Sequence, residues 1–142
     1  MNDNAKKWVA VLRSGEFKQG KNYLNRGDEF CCLGVACELY QREMNDLHII
    51  DDEDQDCTYY DGNSESLPNP VREWLGLKST NGQFNVEEMN RTLFITGLEG
   101  YTLAALNDEG CPFEKIADVI ELEPEGLFLK TYESLRRKRE GG

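Results

Sequence analysis

One apolar pattern occurs three times and decides most of what this chain can become. Ala5, Trp8, Val9 and Leu12 stand at positions i, i+3, i+4 and i+7. Leu33, Ala36, Cys37 and Tyr40 repeat that spacing, and so do Phe113, Ile116, Ala117 and Ile120. Such spacing places four side chains on one face of an α-helix. Each stretch is short: Gly15 ends the first, and Cys111-Pro112 opens the third. None can hide its stripe alone, so the three must bury their faces against one another or against strands.

Between the stripes the signals are those of strands and turns. Phe17 to Leu24 and Glu29 to Cys32 read as two short strands around the turn Asn25-Arg26-Gly27-Asp28. Gly34, at the start of the second helix (about residues 33–43), permits a tight strand-to-helix junction. Cys57-Thr58-Tyr59-Tyr60 reads as an edge strand closed by Asp61-Gly62-Asn63. Asn69 is expected to cap a short helix with Pro70 in its first position and Gly76 at its end. Gln83 to Val86 and Thr92 to Thr96 read as strands, and residues 99–107 as a further helix carrying Leu103 and Leu106. The prediction is one compact α+β domain over residues 1–128, several short helices around a small antiparallel sheet. A polar basic tail, helical or disordered, follows over residues 129–142. A chain of 142 residues is long enough to bury a core without a metal or disulfide.

Charge narrows the function classes. The formal net charge is -11, which repels nucleic-acid backbones, so no direct nucleic-acid binding is expected. The charge is uneven. Residues 5–26 hold six bases (Lys6, Lys7, Arg13, Lys18, Lys21, Arg26) and one acid, Glu16; residues 27–69 hold twelve acids and one base, Arg42. Either the two regions pair internally or the basic one forms an anion pocket inside a negative field. No apolar run approaches the roughly 20 residues of a membrane span, and the N-terminus lacks a signal-peptide layout. A cytoplasmic location is expected. The five cysteines are read as reduced thiols.

Motifs for chemistry are sparse. Cys31-Cys32-x4-Cys37 lacks the spacing of a structural zinc site, and Cys37 falls on an apolar stripe, so core packing is the expected role. The acidic run 51–56 has acids at the first, third and fifth positions of a calcium loop. It has Cys57 where that loop needs glycine and Asn63 where it needs glutamate. The single histidine, His48, has no nucleophile motif near it. No metal, cofactor or catalytic set is assigned. Two segments remain as binding candidates. Arg13-Ser14-Gly15-x2-Lys18-Gln19-Gly20-Lys21 offers cations, an amide and flexible backbone, a cradle for a phosphorylated ligand. Asn107-Asp108-x-Gly110, read as a turn between helices, could recognise a ligand's hydroxyls or base edge.

Leu12-Arg13-Ser14-Gly15-x-Phe17-Lys18-Gln19-Gly20 and Phe30-Cys31-Cys32-Leu33-Gly34-Val35-x-Cys37 resemble a family of small uncharacterised phage and bacterial proteins. Leu67-Pro68, Trp74-Leu75-Gly76-Leu77 and Leu106-Asn107-Asp108-x-Gly110-x-x-Phe113-x-x-Ile116-Ala117-Asp118-x-Ile120 continue the match. The resemblance implies an accessory or counter-defence role and carries no activity. Together with the charge pattern it leads to a first expectation: a binding protein that sequesters a small anionic ligand such as a nucleotide-derived immune signal. Arg13, Lys18, Gln19, Lys21, Asn107 and Asp108 are its expected contacts. The alternatives are an acidic inhibitor of a host defence nuclease and a small nucleotide-acting enzyme. Expected partners are the ligand, a host defence protein or a second copy of the chain, with no membrane.

Overall fold

In a computed structural model that describes residues 1–85 and 100–129, the three stripes become three helices that meet in one core. Helix α1 (Asp3–Ser14) starts where the Asn2 side chain accepts the Ala5 N–H at 2.8 Å and stops at Gly15, φ 77°. Strand β1 (Lys18–Gln19) pairs parallel with β3 (Glu29–Phe30), and β2 (Asn25–Arg26) pairs antiparallel with β3. Helix α2 (Cys32–Met44) follows at once. The hairpin β4 (Ile49–Asp52) and β5 (Cys57–Tyr60), helix α3 (Asn69–Leu75), strand β6 (Gln83–Asn85), strand β7 (Gly100–Thr102), helix α4 (Leu103–Asp108) and helix α5 (Phe113–Glu121) complete the order. The fold is α+β.

Three details differ from the sequence reading. The strands make three small sheets, β1-β3-β2, β4-β5 and β6-β7, and β1-β3 is parallel. Asn69 does not cap α3: Pro68 occupies the cap position with no side-chain bond, and Pro70 sits one residue further in. The helix expected from residue 99 begins at Leu103, because Thr102 caps it by accepting the Ala105 N–H at 3.0 Å while 100–102 pair with β6. The expected strand Thr92–Thr96 and the basic tail lie outside the described residues, apart from Leu129.

The core explains these placements. Trp8 is fully buried, and its indole N–H donates to the Cys32 carbonyl at 2.9 Å, locking α1 onto the start of α2. Helix α5 lays Phe113, Ile116, Ala117 and Ile120 against the same core. Gly34 abuts the β2 segment so closely that a β-carbon would lie 1.7 Å from the Leu24 carbonyl oxygen. Cys32 and Cys37 are fully buried in that core, as small apolar side chains. The Cys31 sulfur accepts the Gly34 N–H at 3.4 Å and so caps α2.

Candidate functional site

The polar centre of the molecule is built on one amide. Asn107, in the last turn of α4, is fully buried. Its Oδ1 accepts the Cys32 N–H at 3.2 Å and the Gln19 Nε2–H at 3.0 Å, and its Nδ2 donates to the Gly20 carbonyl at 2.7 Å. Gln19 Nε2 also donates to the Cys111 carbonyl at 2.7 Å. The adjacent Asp108, half-buried, accepts the Asn22 N–H at 2.7 Å. The end of α4 therefore grips the loop 19–22 at its amide, its carbonyl and its next N–H. Buried polar groups must be paired in this way or cost about 1–3 kcal/mol each.

The gripped loop forms one wall of a cleft of about 310 Å³. Gln19, Lys21, Asn22, Tyr23, Arg26 and Glu29 line it. Gly20 lets the loop lie on β3, since a β-carbon there would fall 2.7 Å from that of Glu29. Arg26 is carried by β2, whose Asn25 ties the β2-β3 turn by donating to the carbonyls of Gly27 and Glu29, each at 3.0 Å. The Arg26 guanidinium stands over the Tyr23 ring, 5.5 Å from its centre, and its Nε lies 3.5 Å from Asp56.

Most of the basic cluster predicted from the sequence is neutralised internally. Arg13 bonds Asp118 at 2.6 Å and also Glu121, both on α5. Those hydrogen bonds, Glu121 before Asp118, raise its pKa further above the usual guanidinium value. Lys18 faces Asp28 at 3.8 Å, Lys7 faces Glu43 at 3.3 Å, and Lys6 faces Asp3 at 3.9 Å. With Arg26 on Asp56, five of the six bases have a carboxylate partner. Among the described residues none pairs with Lys21.

The six expected contacts thus divide. Gln19 and Lys21 line the cleft. Asn107 and Asp108 hold its wall from behind, and Asn107 is too deeply buried to meet a ligand in it. Arg13 joins α1 to α5, and Lys18 lies off the lining. Sequence reasoning missed Asn22, Tyr23, Arg26 and the carboxylate Glu29 as lining residues, although Arg26 belongs to the basic run and Tyr23 lies between it and Lys21.

Among the described residues no other cluster competes in chemistry. All five cysteines are free. Burial pushes the Cys31 thiol up to about 11 and drives Cys32 and Cys37 well above the ordinary thiol value, so they are poor nucleophiles. His48 is exposed, and its backbone N–H, not its ring, is held by Asp61 at 2.7 Å. Among the described residues no three Cys, His, Asp or Glu side chains converge as metal ligands. A larger cleft, about 730 Å³, lies beside Lys78, Phe84, Asn85, Glu125 and Phe128. It borders both ends of the described chain, at Asn85 and Leu129, and Lys78 is the one base among its lining residues. The smaller cleft is the better candidate because Lys21, which has no carboxylate partner among the described residues, lines it together with Arg26 and Tyr23.

No curated protein and no solved structure matches the chain. A family model described as Domain of unknown function (DUF8296) matches residues 1–124, a span that holds every residue of the cleft and of the Asn107 centre, and the chain belongs to that family.

Proposed function

We propose that the protein binds a small phosphorylated ligand, of nucleotide type, in the cleft beside Lys21, Tyr23 and Arg26, and acts by sequestering it. One observation carries this reading: Lys21 has no ion-pair partner among the described residues, in a chain whose other nearby bases are paired. An ammonium and a guanidinium lining one cleft suit a phosphate, as point charge and fork. The Arg26 guanidinium covers one face of the Tyr23 ring, and a base would stack on the other. A volume of about 310 Å³ stands at the small end of ligand pockets, roughly 300–1,000 Å³, and fits a mononucleotide-sized group rather than a polymer. Sequestration needs no nucleophile, and burial raises the thiol pKa values of Cys31, Cys32 and Cys37. The resemblance to small phage and bacterial proteins favours an immune signal of the host cytoplasm as the ligand.

Isothermal titration with cyclic mono- and dinucleotides and with ADP-ribose derivatives tests the reading. At least one should bind with a Kd below roughly 10 μM, about -7 kcal/mol. Binding should fall at least tenfold in Lys21→Ala. Absence of binding across the panel, or full affinity in both Lys21→Ala and Arg26→Ala, would refute it.

A further inference from the structure

The β4-β5 hairpin carries a second surface, independent of the cleft. Strand β4 pairs with β5 alone among the described residues. The Asp61 N–H donates to the His48 carbonyl at 2.8 Å, which fixes the phase of the ladder. Antiparallel pairs alternate between bonded and non-bonded. Ile50 therefore bonds across to Tyr59, while Ile49 and Asp51 turn their N–H and C=O groups outward. Tyr60, opposite Ile49, agrees with this phase: its N–H goes to Asn63, at 2.8 Å.

The outer edge of β4 is apolar where edges are usually guarded. Ile49 and Ile50 point to opposite faces, and they are 37% and 50% exposed. Exposed apolar residues on an unpaired edge can template strand pairing. The guard is further along. Asp51, Asp52, Glu53 and Asp54 follow directly, and no described base forms an ion pair with any of them. Two of these carboxylates are turned partly inward, Asp52 to the turn amides of Asp54 and Gln55 and Asp51 to the Thr58 hydroxyl. No base among the described residues compensates their charge. A second β4 would add an equal negative charge instead of offsetting this one, so the charge opposes a second copy. It favours a strand with bases at alternate positions.

We propose that the free edge of β4 docks an extended basic segment of a partner protein, added as a third strand to β4-β5. The outward groups of Ile49 and Asp51 supply the main-chain bonds. Ile49 and Ile50 give apolar contact on both faces, and residues 51–54 select for lysine or arginine.

A synthetic peptide of alternating lysine and valine serves as the probe, with the full-length protein followed by amide hydrogen exchange. The amides of Ile49 and Asp51 should slow at least tenfold when the peptide is added. The same peptide N-methylated at every residue should give no protection, although its charge is unchanged. Ile49→Pro removes an outward donor and leaves the bonds to β5 in place, and it should abolish the effect while the amides of α1 and α2 exchange as before. Three results would overturn the proposal. One is equal protection by the N-methylated peptide, which means attraction by charge alone. The second is protection of these amides by self-association without peptide. The third is no protection at all.

Discussion

The Leu24 carbonyl oxygen occupies the place where a β-carbon on residue 34 would have to stand, 1.7 Å away. This is a backbone-to-backbone approach, and no side chain can rotate to relieve it. Gly34→Ala must push the first turn of α2 off the β2 segment, disturbing the bond from the Trp8 indole to Cys32 next to it. A loss of at least about 3 kcal/mol is expected, at the upper end of overpacking costs. The urea midpoint reads it, and a midpoint unchanged from the parent would contradict the contact.

Asn107→Ala should be nearly as damaging for a different reason. It leaves the Cys32 N–H and the Gly20 carbonyl without their partner, a cost of about 2–4 kcal/mol. The protein should stay folded, since domain stabilities run about 5–15 kcal/mol, but the loop 19–22 should exchange its amides faster. Asn107→Asp keeps an acceptor for Cys32 and loses the donor to Gly20, so the loop should loosen while α2 stays capped.

Arg13→Ala separates the two roles considered for the basic cluster. Its partners Asp118 and Glu121 are on α5 and not in the cleft. Ligand affinity should be unchanged, and the thermal midpoint should drop slightly, less so in high salt. A tenfold loss of affinity would place Arg13 in the site after all.

Asp56→Asn acts on the cleft from outside. On the proposed reading, Asp56 would compete with a bound phosphate for the Arg26 guanidinium, at a pair that is more than half exposed. Removing that competitor should tighten binding about two- to fivefold at low salt, the scale of an exposed ion pair. Weaker binding would mean that Asp56 holds Arg26 in its productive position.

Alkaline pH should destabilise the fold. The Cys31 thiol is held near 11 in the folded protein against 9.0 in a free thiol. Its raised folded value contributes stability that is complete below pH 9 and is lost as the pH rises toward 11. Two units correspond to about 3 kcal/mol. Cys32 and Cys37 shift in the same direction through burial. Urea midpoints should be level from pH 7 to 8.5 and fall by pH 10.5.

The helices were legible because each carries its own periodicity: Ala5, Trp8, Val9 and Leu12 point inward as their spacing predicts. The α4 boundary was not, because Thr102 is a cap only once its neighbours pair with β6. The site was half legible. Lys21 and Gln19 lie in a run of bases and amides that reads as a binding loop. Whether a base is free depends on acids far along the chain. Arg13 meets carboxylates 105 and 108 positions away, and no local pattern reports that. The three-sheet arrangement was hidden for the same reason, since strands of two to four residues take their partners from packing.

Asn107 also sets an order of events. Its partners Gln19, Gly20 and Cys32 are 88, 87 and 75 positions earlier. A ribosome adding about 5–20 residues per second makes the loop some 4–18 s before the amide that secures it. The nascent chain holds Lys21 and Tyr23 from the start, but not in a fixed frame. On the proposed reading, capture of a ligand would wait until synthesis has passed α4, and a product truncated before that point would not compete for the ligand.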